Sequence, residues 1–92
     1  MDRERSIVKE IVYSAQARSK LARIPRNEAG RIRSKIEQYA ADPGALANNV
    51  KKLQGLNYYR LRVGDWRVIF REDGIVIDVV RIATRGEAYE GI

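Results

Sequence analysis

The chain contains no cysteine and no histidine. Without cysteine, neither disulfides nor thiolate metal sites are available. Without histidine, the usual metal ligand and the usual neutral-pH proton shuttle are missing. Hydrolysis through a Cys or His nucleophile is thereby excluded. A metal site would need a cluster of carboxylates, and none stands out, so no cofactor is expected. No apolar run approaches the ~20 residues of a membrane span. The opening stretch, MDRERSIVKE, lacks the apolar core of a secretory signal. A cytoplasmic protein without a membrane partner is the expectation.

The 92 residues are expected to form a single domain, 1–92, around one modest core. Apolar residues make up 45%, as in an ordinary globular protein. Eighteen Lys and Arg face twelve Asp and Glu, for a net charge of +6. That balance favours nucleic acid, an anionic surface or an acidic protein as partner.

The most ordered pattern is Tyr58 to Phe70, YYRLRVGDWRVIF. With a period of two, Tyr59, Leu61, Val63, Trp66, Val68 and Phe70 share one face. Tyr58, Arg60, Arg62, Arg67 and Ile69 share the other, with Arg71 next in line. Gly64-Asp65, glycine first, suits a two-residue type II′ turn. The hairpin then sets position 63 against 66, 62 against 67 and 61 against 68. Its arginines meet on one face, and like charges directly opposite destabilise a sheet. An anionic partner would account for them.

Around this hairpin the chain predicts an α+β domain with both helices on one sheet face. Met1 to Ser6 is charged and is expected to fray. Ile7 to Tyr13 reads in its second half as a short strand, or else as the start of the helix that follows. Ser14 is a candidate cap. Ala15 to Arg23 carries Ala17 and Leu21, with Ile24 beyond, on one helical stripe, and Pro25 interrupts it. Asn27 is a plausible cap for a second helix over Glu28 to Ala41, with the stripe Ala29, Ile32, Ile36, Tyr39 and Ala40. Asp42-Pro43-Gly44 ends that helix. The short connection makes the two helices an antiparallel pair. Ala45 to Asn49 reads as a loop, and Lys51-Lys52-Leu53 leads to Gly55. A turn at Asp73-Gly74 joins the hairpin to a last strand, Ile75 to Ile82. Its near-continuous apolar run places it inside the sheet. With a two-residue turn, Ile77 and Val79 join the core face, and Asp78 falls opposite Ile69. The strands after the helices thus form a three-stranded antiparallel meander, completed by the short N-terminal strand.

Several residues could carry chemistry. Exposed strand positions must hold something polar, and Arg is a common choice. The functional reading is a phosphate-binding surface, because guanidinium forks match phosphate oxygens and stay charged. Lys51 and Lys52 would extend that surface. Tyr58 points to it by parity and could stack on an unpaired base. Trp66 reads as core packing, with Arg81 over its ring. The segment Arg81 to Ile92 has the composition of a fraying tail, yet holds Arg85 and Tyr89. Such a face suits RNA, whose 2′-hydroxyl can attack its own 3′ phosphate when arginines stabilise the developing charge. Proton transfer would fall to Glu87, Tyr89, Lys51 or Lys52.

These residues resemble the RelE/ParE superfamily of toxins from bacterial and archaeal toxin–antitoxin pairs. The resemblance lies in Ile24-Pro25, Ala41-Asp42-Pro43, Lys52-Leu53 with Gly55, Tyr59 through Phe70, and Arg81 through Arg85 to Tyr89. The string LRVGDWRVIF is the most specific part. The resemblance implies a RelE-like fold. RelE-type members are metal-independent endoribonucleases that cut mRNA in the ribosomal A site. ParE-type members share the fold, poison DNA gyrase and lack the nuclease residues. On the RelE pattern, catalytic roles fall on Lys52 or Lys51, Arg62, Arg85 and Tyr89. Arg62 and Arg85 would hold the scissile phosphate, and Tyr89 would orient or deprotonate the 2′-hydroxyl or stack on a base. Lys51, Arg60, Arg67, Tyr58 and Arg71 would bind RNA and phosphate. The resemblance also implies an acidic antitoxin as partner in a hetero-oligomer, either covering Arg60, Arg62 and Arg67 or displacing the Arg85–Tyr89 tail.

Overall fold

The computed structural model describes residues 8–90. The fraying expected for residues 1–6 lies outside them. Strand β1 (Glu10–Tyr13) is followed by helices α1 (Ala15–Arg23) and α2 (Arg26–Ala41). A 3-10 segment (Pro43–Asn49) leads to β2 (Val50–Lys52), β3 (Tyr59–Val63), β4 (Trp66–Glu72) and β5 (Val76–Thr84). The open choice for Ile7 to Tyr13 resolves as a strand. Ser14 caps α1, its Oγ accepting from the Ala17 N–H at 3.0 Å. The cap of α2 is Pro25 rather than Asn27, which lies in the first turn. Proline's fixed φ suits a helix entry, and the Pro25 carbonyl takes the N–H groups of Glu28 and Ala29, each at 3.0 Å.

The strands form one sheet in the order β1-β5-β4-β3-β2. The β3–β4 hairpin has the expected register, Val63 with Trp66, Arg62 with Arg67 and Leu61 with Val68. Gly64 has φ +59° and no non-glycine residue among those described has positive φ, which fits a type II′ turn with Gly first. The strands also differ from the sequence expectation in several places. Val50–Lys52 is a strand and not a lead-in, pairing antiparallel with β3 and forming one edge of the sheet. The β4–β5 turn is centred one residue later than expected. Asp73 donates its N–H to the Val76 carbonyl at 3.1 Å. Its Oδ1 accepts from the N–H groups of Ile75 and Val76, both at 2.7 Å. Asp78 therefore pairs with Arg71 and not with Ile69.

A bulge follows. Phe70 pairs with Val79 and Ile69 with Arg81, which leaves Val80 without a direct partner. The extra residue reverses the alternation of β5 beyond it. Ile77, Val79 and Ile82 all reach the helix-side core, while Arg81 turns to the opposite face. Strict alternation had set Arg81 beside Trp66. The Trp66 ring nitrogen instead donates to Glu28 of α2 at 2.8 Å.

The main core lies between the helices and the sheet. All five stripe residues of α2 are buried, as are Ala17 and Leu21 of α1. Phe70 sits between Tyr39 and Tyr59, with ring centroids at 5.3 and 5.5 Å. Tyr39 donates to Glu72 Oε2 at 2.9 Å, and Lys9 bridges Glu72 Oε1 at 3.0 Å. Burial, followed by the carboxylate at its hydroxyl, pushes the Tyr39 phenol well above its ordinary pKa.

Beyond Tyr13, side chains take over the pairing of β5. Ser14 donates to the Val80 carbonyl at 2.9 Å. The Gln16 amide donates to the Ile82 carbonyl and accepts from its N–H, each at 3.0 Å. Helix α1 can thus begin where strand β1 ends without leaving the β5 backbone unpaired.

Candidate functional site

The face of the sheet away from the helices carries three rows of residues, each defined by direct cross-strand partners. Lys51, Arg60, Ile69 and Arg81 form the middle row. Arg62, Arg67 and Ala83 form the row nearest the β3–β4 turn. Arg71 and Asp78 lie on the far side, with Tyr58 against Arg71. Residues two apart on one strand stand about 7 Å apart. Lys51, Arg60 and Arg62 are therefore neighbours on the β2–β3 half of this face.

Their environments differ. Lys51 and Arg62 are exposed. Arg60 is half-buried, and its Nε is buried with no hydrogen-bond partner among the described residues. Arg67, read from the sequence as a phosphate ligand, is only 7% exposed. Its Nη1 donates to the carbonyls of Gly64 at 2.8 Å and Trp66 at 3.0 Å. It ties the hairpin turn and does not present its charge to solvent. Arg71 pairs with Asp78 at 2.8 Å and lies 5.9 Å from the Tyr58 ring centre. Tyr58 itself packs against the buried cluster of Ile69, Ala83 and Ala88. Its ring is thus already engaged by Arg71 and the cluster. Lys52 pairs with Tyr59, on the helix side of the sheet, so by register Lys51 is the lysine of the arginine face.

The C-terminal segment is folded down on this face. The Arg85 N–H donates to the Asp65 carbonyl at 2.8 Å, which sets Arg85 at the same end of the sheet as Arg62. The Thr84 carbonyl accepts from the N–H groups of Glu87 and Ala88 at 3.0 and 2.9 Å. Ala88 is fully buried against Ile69 and Ala83. Arg81 Nη1 donates to the carbonyls of Ala88, at 3.2 Å, and Glu90. Tyr89, between those two, remains 42% exposed. Glu87 Oε1 accepts from the Thr84 hydroxyl at 3.3 Å. The segment covers the β4–β5 half of the face and leaves the β2–β3 half open beside it. The sequence held a signal for this cover: the near-continuous apolar run of the last strand is that of a strand covered on both faces, and Ile69 is apolar on the arginine face.

The net charge lies elsewhere. Residues 15–41 hold seven Lys and Arg against Glu28 and Glu37, which accounts for five of the six net positive charges. Residues 42–92 hold eight basic and seven acidic side chains. The arginine face is thus a local arrangement of cations within a nearly balanced half. The basic excess belongs to the helix pair behind the sheet. Among the described residues, no three acidic side chains gather as a metal site would require. No helix among them is long and apolar enough to cross a membrane.

Two helices on one face of a five-stranded sheet, parallel only where β1 meets β5, with arginines and a folded-down tail on the other face, are the arrangement of a RelE/ParE-type toxin. Residues 11–89 match the family described as ParE toxin of type II toxin–antitoxin system, parDE, and the chain belongs to that family. Among solved structures it is similar to the RelB–RelE antitoxin–toxin complex of Methanococcus jannaschii. Identity there is 26% and the TM-score 0.68, over 88% of this chain and 98% of that one. It is also similar to the archaeal RelE–RelB complex of Pyrococcus horikoshii OT3, with 25% identity and a TM-score of 0.73, over 89% and 100% of the two chains. The intact RelBE toxin–antitoxin complex of E. coli shares the fold at 14% identity and a TM-score of 0.68, over 83% and 95%. A search of curated proteins returns no match.

Proposed function

We propose that this toxin is a metal-independent endoribonuclease that cuts mRNA in the ribosomal A site and is silenced by an acidic antitoxin. The observation that supports it most is the open β2–β3 half of the arginine face. There Lys51, Arg60 and Arg62 stand together, beside a tail carrying Arg85 and Tyr89. Similarity to RelE toxins held in complexes with RelB supports the antitoxin. The site operates in the cytoplasm, where mRNA is translated.

In this reading the 2′-hydroxyl oxygen attacks the adjacent phosphorus and the bond to the 5′ oxygen breaks. The products are a 2′,3′-cyclic phosphate and a 5′-hydroxyl end. Arg62 and Arg85 neutralise the charge that builds on the phosphate oxygens. Arg60, between Lys51 and Arg62 on the same face, adds positive charge beside the same anion. Tyr89 or Lys51 takes the proton from the 2′-hydroxyl, and a second group returns one to the leaving oxygen.

The test is primer extension on a reporter mRNA after brief induction, beside an Arg85→Ala control. New 5′ ends at codon-phased positions, absent in the control, are expected. The second reading is a gyrase poison, favoured by the match to the ParE family. Growth arrest with a DNA-damage response and no new mRNA ends would select it.

A further inference from the structure

The proposed reaction gives Arg81 no role. It projects from β5 onto the arginine face because of the bulge at Val80. Its direct cross-strand partner is the apolar Ile69, so its guanidinium meets no charge on β4 and turns to the tail. A single guanidinium nitrogen, Nη1, donates to two carbonyls, those of Ala88 and Glu90. These are the residues on either side of Tyr89.

We propose that Arg81 is the positioning residue for Tyr89, holding the backbone on both sides of it so that the phenol keeps one place relative to the arginine face. The tail has few other restraints. Ala88 is its one buried side chain among the described residues. The Thr84 carbonyl fixes its first turn through Glu87 and Ala88. Beyond Ala88, among the described residues, the Glu90 N–H to the Glu87 carbonyl, at 3.2 Å, and the Arg81 bridge hold the chain. Both carbonyls accept from a charged donor, and such bonds are stronger than neutral ones. Guanidinium suits this task because its two hydrogens on one nitrogen diverge in a plane. A lysine presents a point charge with no preferred pair of directions. The bulge, the Arg81 bridge and Tyr89 form one device: the bulge turns the arginine outward, and the arginine sets the tyrosine.

The inference rests on the nuclease reading for its consequence, but the clamp is measurable without it. The full chain is labelled with 3-fluorotyrosine, which marks all five tyrosines. The Tyr89 resonance is assigned by its loss in Tyr89→Phe. In Arg81→Gln it is expected to narrow and move toward the free amino-acid shift while the other four hold. Arg81→Lys keeps the stem and charge and is expected to give an intermediate position, which covers the case in which the glutamine variant does not fold. In single-turnover cleavage, Arg81→Gln is expected to lower kcat roughly 10- to 100-fold, the scale of a small misplacement of a reacting group, with KM unchanged. The double variant Arg81→Gln/Tyr89→Phe should then be no slower than Tyr89→Phe alone. An unmoved Tyr89 resonance in both Arg81 variants would overturn the clamp. A moved resonance with multiplicative losses in the double variant would overturn its action through Tyr89. If the wild-type chain cleaves no mRNA, the nuclease reading fails while the resonance still decides the clamp.

Discussion

Lys51 and Arg60 are direct cross-strand partners, two cations side by side on the sheet face away from the helices. Opposite like charges destabilise a sheet by roughly 0.2–1 kcal/mol. If this pair serves an anionic substrate, folding and function should respond in opposite directions. Lys51→Glu is expected to raise the unfolding free energy measured in urea by an amount in that range and to lower mRNA cleavage at least tenfold. Equal losses of stability and cleavage would show that Lys51 supports the fold instead.

Arg62 and Arg67 pair in the same way on the neighbouring strands, yet their surroundings divide their roles. Arg67 is buried, and its Nη1 is committed to the Gly64 and Trp66 carbonyls. Arg67→Ala should cost about 1–3 kcal/mol, because it strips charge-assisted bonds from the hairpin turn. Arg62→Ala should change stability by less than about 0.5 kcal/mol, as for an exposed strand residue. Chemical denaturation of the two variants side by side checks this. Cleavage should fall in both, in Arg62→Ala with the fold intact.

The hairpin and the helix stripes were legible because each is a local pattern. Period two fixes the faces of Tyr59 to Phe70, and period 3.6 fixes the buried side of α2. What escaped depends on partners far away in the chain. Val50 to Lys52 has no alternation long enough to announce a strand, and it becomes one only because β3 offers a free edge. The Val80 bulge is invisible in sequence because Val79 and Val80, where it falls, suit either face. It decided where Arg81 points, and with it the fate of the tail. Arg67 looked like its neighbours in sequence, and it was removed from the exposed face by the turn carbonyls that it satisfies.

Gln16 shows how a side chain can complete a sheet. Its amide makes both bonds that a β1 residue would have made to Ile82. Gln16→Ala is expected to destabilise the fold by about 1–2 kcal/mol, two ordinary hydrogen bonds' worth with solvent partly replacing them. Hydrogen exchange at the Ile82 amide should accelerate more than at Val79, which stays paired with Phe70 of β4. Equal acceleration at both positions would mean that Gln16 acts on the sheet as a whole.

Tyr39 makes alkaline stability a test of the helix–sheet junction. Its phenol is raised by burial and by donation to Glu72, so the folded state keeps the proton longer than the unfolded chain does. A raised folded pKa gives a contribution that is complete below the unfolded value near 10 and is lost as pH climbs above it. The wild type should therefore lose stability above pH 10 more steeply than Tyr39→Phe, which has no proton to release. Denaturation midpoints of the pair, measured from pH 8 to 11, check the sign.

Asp73 governs the opposite limb. Its carboxylate accepts the N–H groups of Ile75 and Val76, and these bonds hold its pKa below the usual carboxylate value of 3.8. A lowered folded pKa gives a contribution that is present above the unfolded value and is lost as pH falls through the folded one. Asp73→Asn retains a carbonyl oxygen for the same two amides but carries no charge. It should therefore be less stable than wild type at neutral pH, and the gap should close as the pH is taken below 3.8. Asp73→Ala removes the acceptor as well, and part of its deficit should persist in acid. That residue is the share owed to turn geometry, because the late turn sets the register that pairs Asp78 with Arg71 and opens the bulge one step further on.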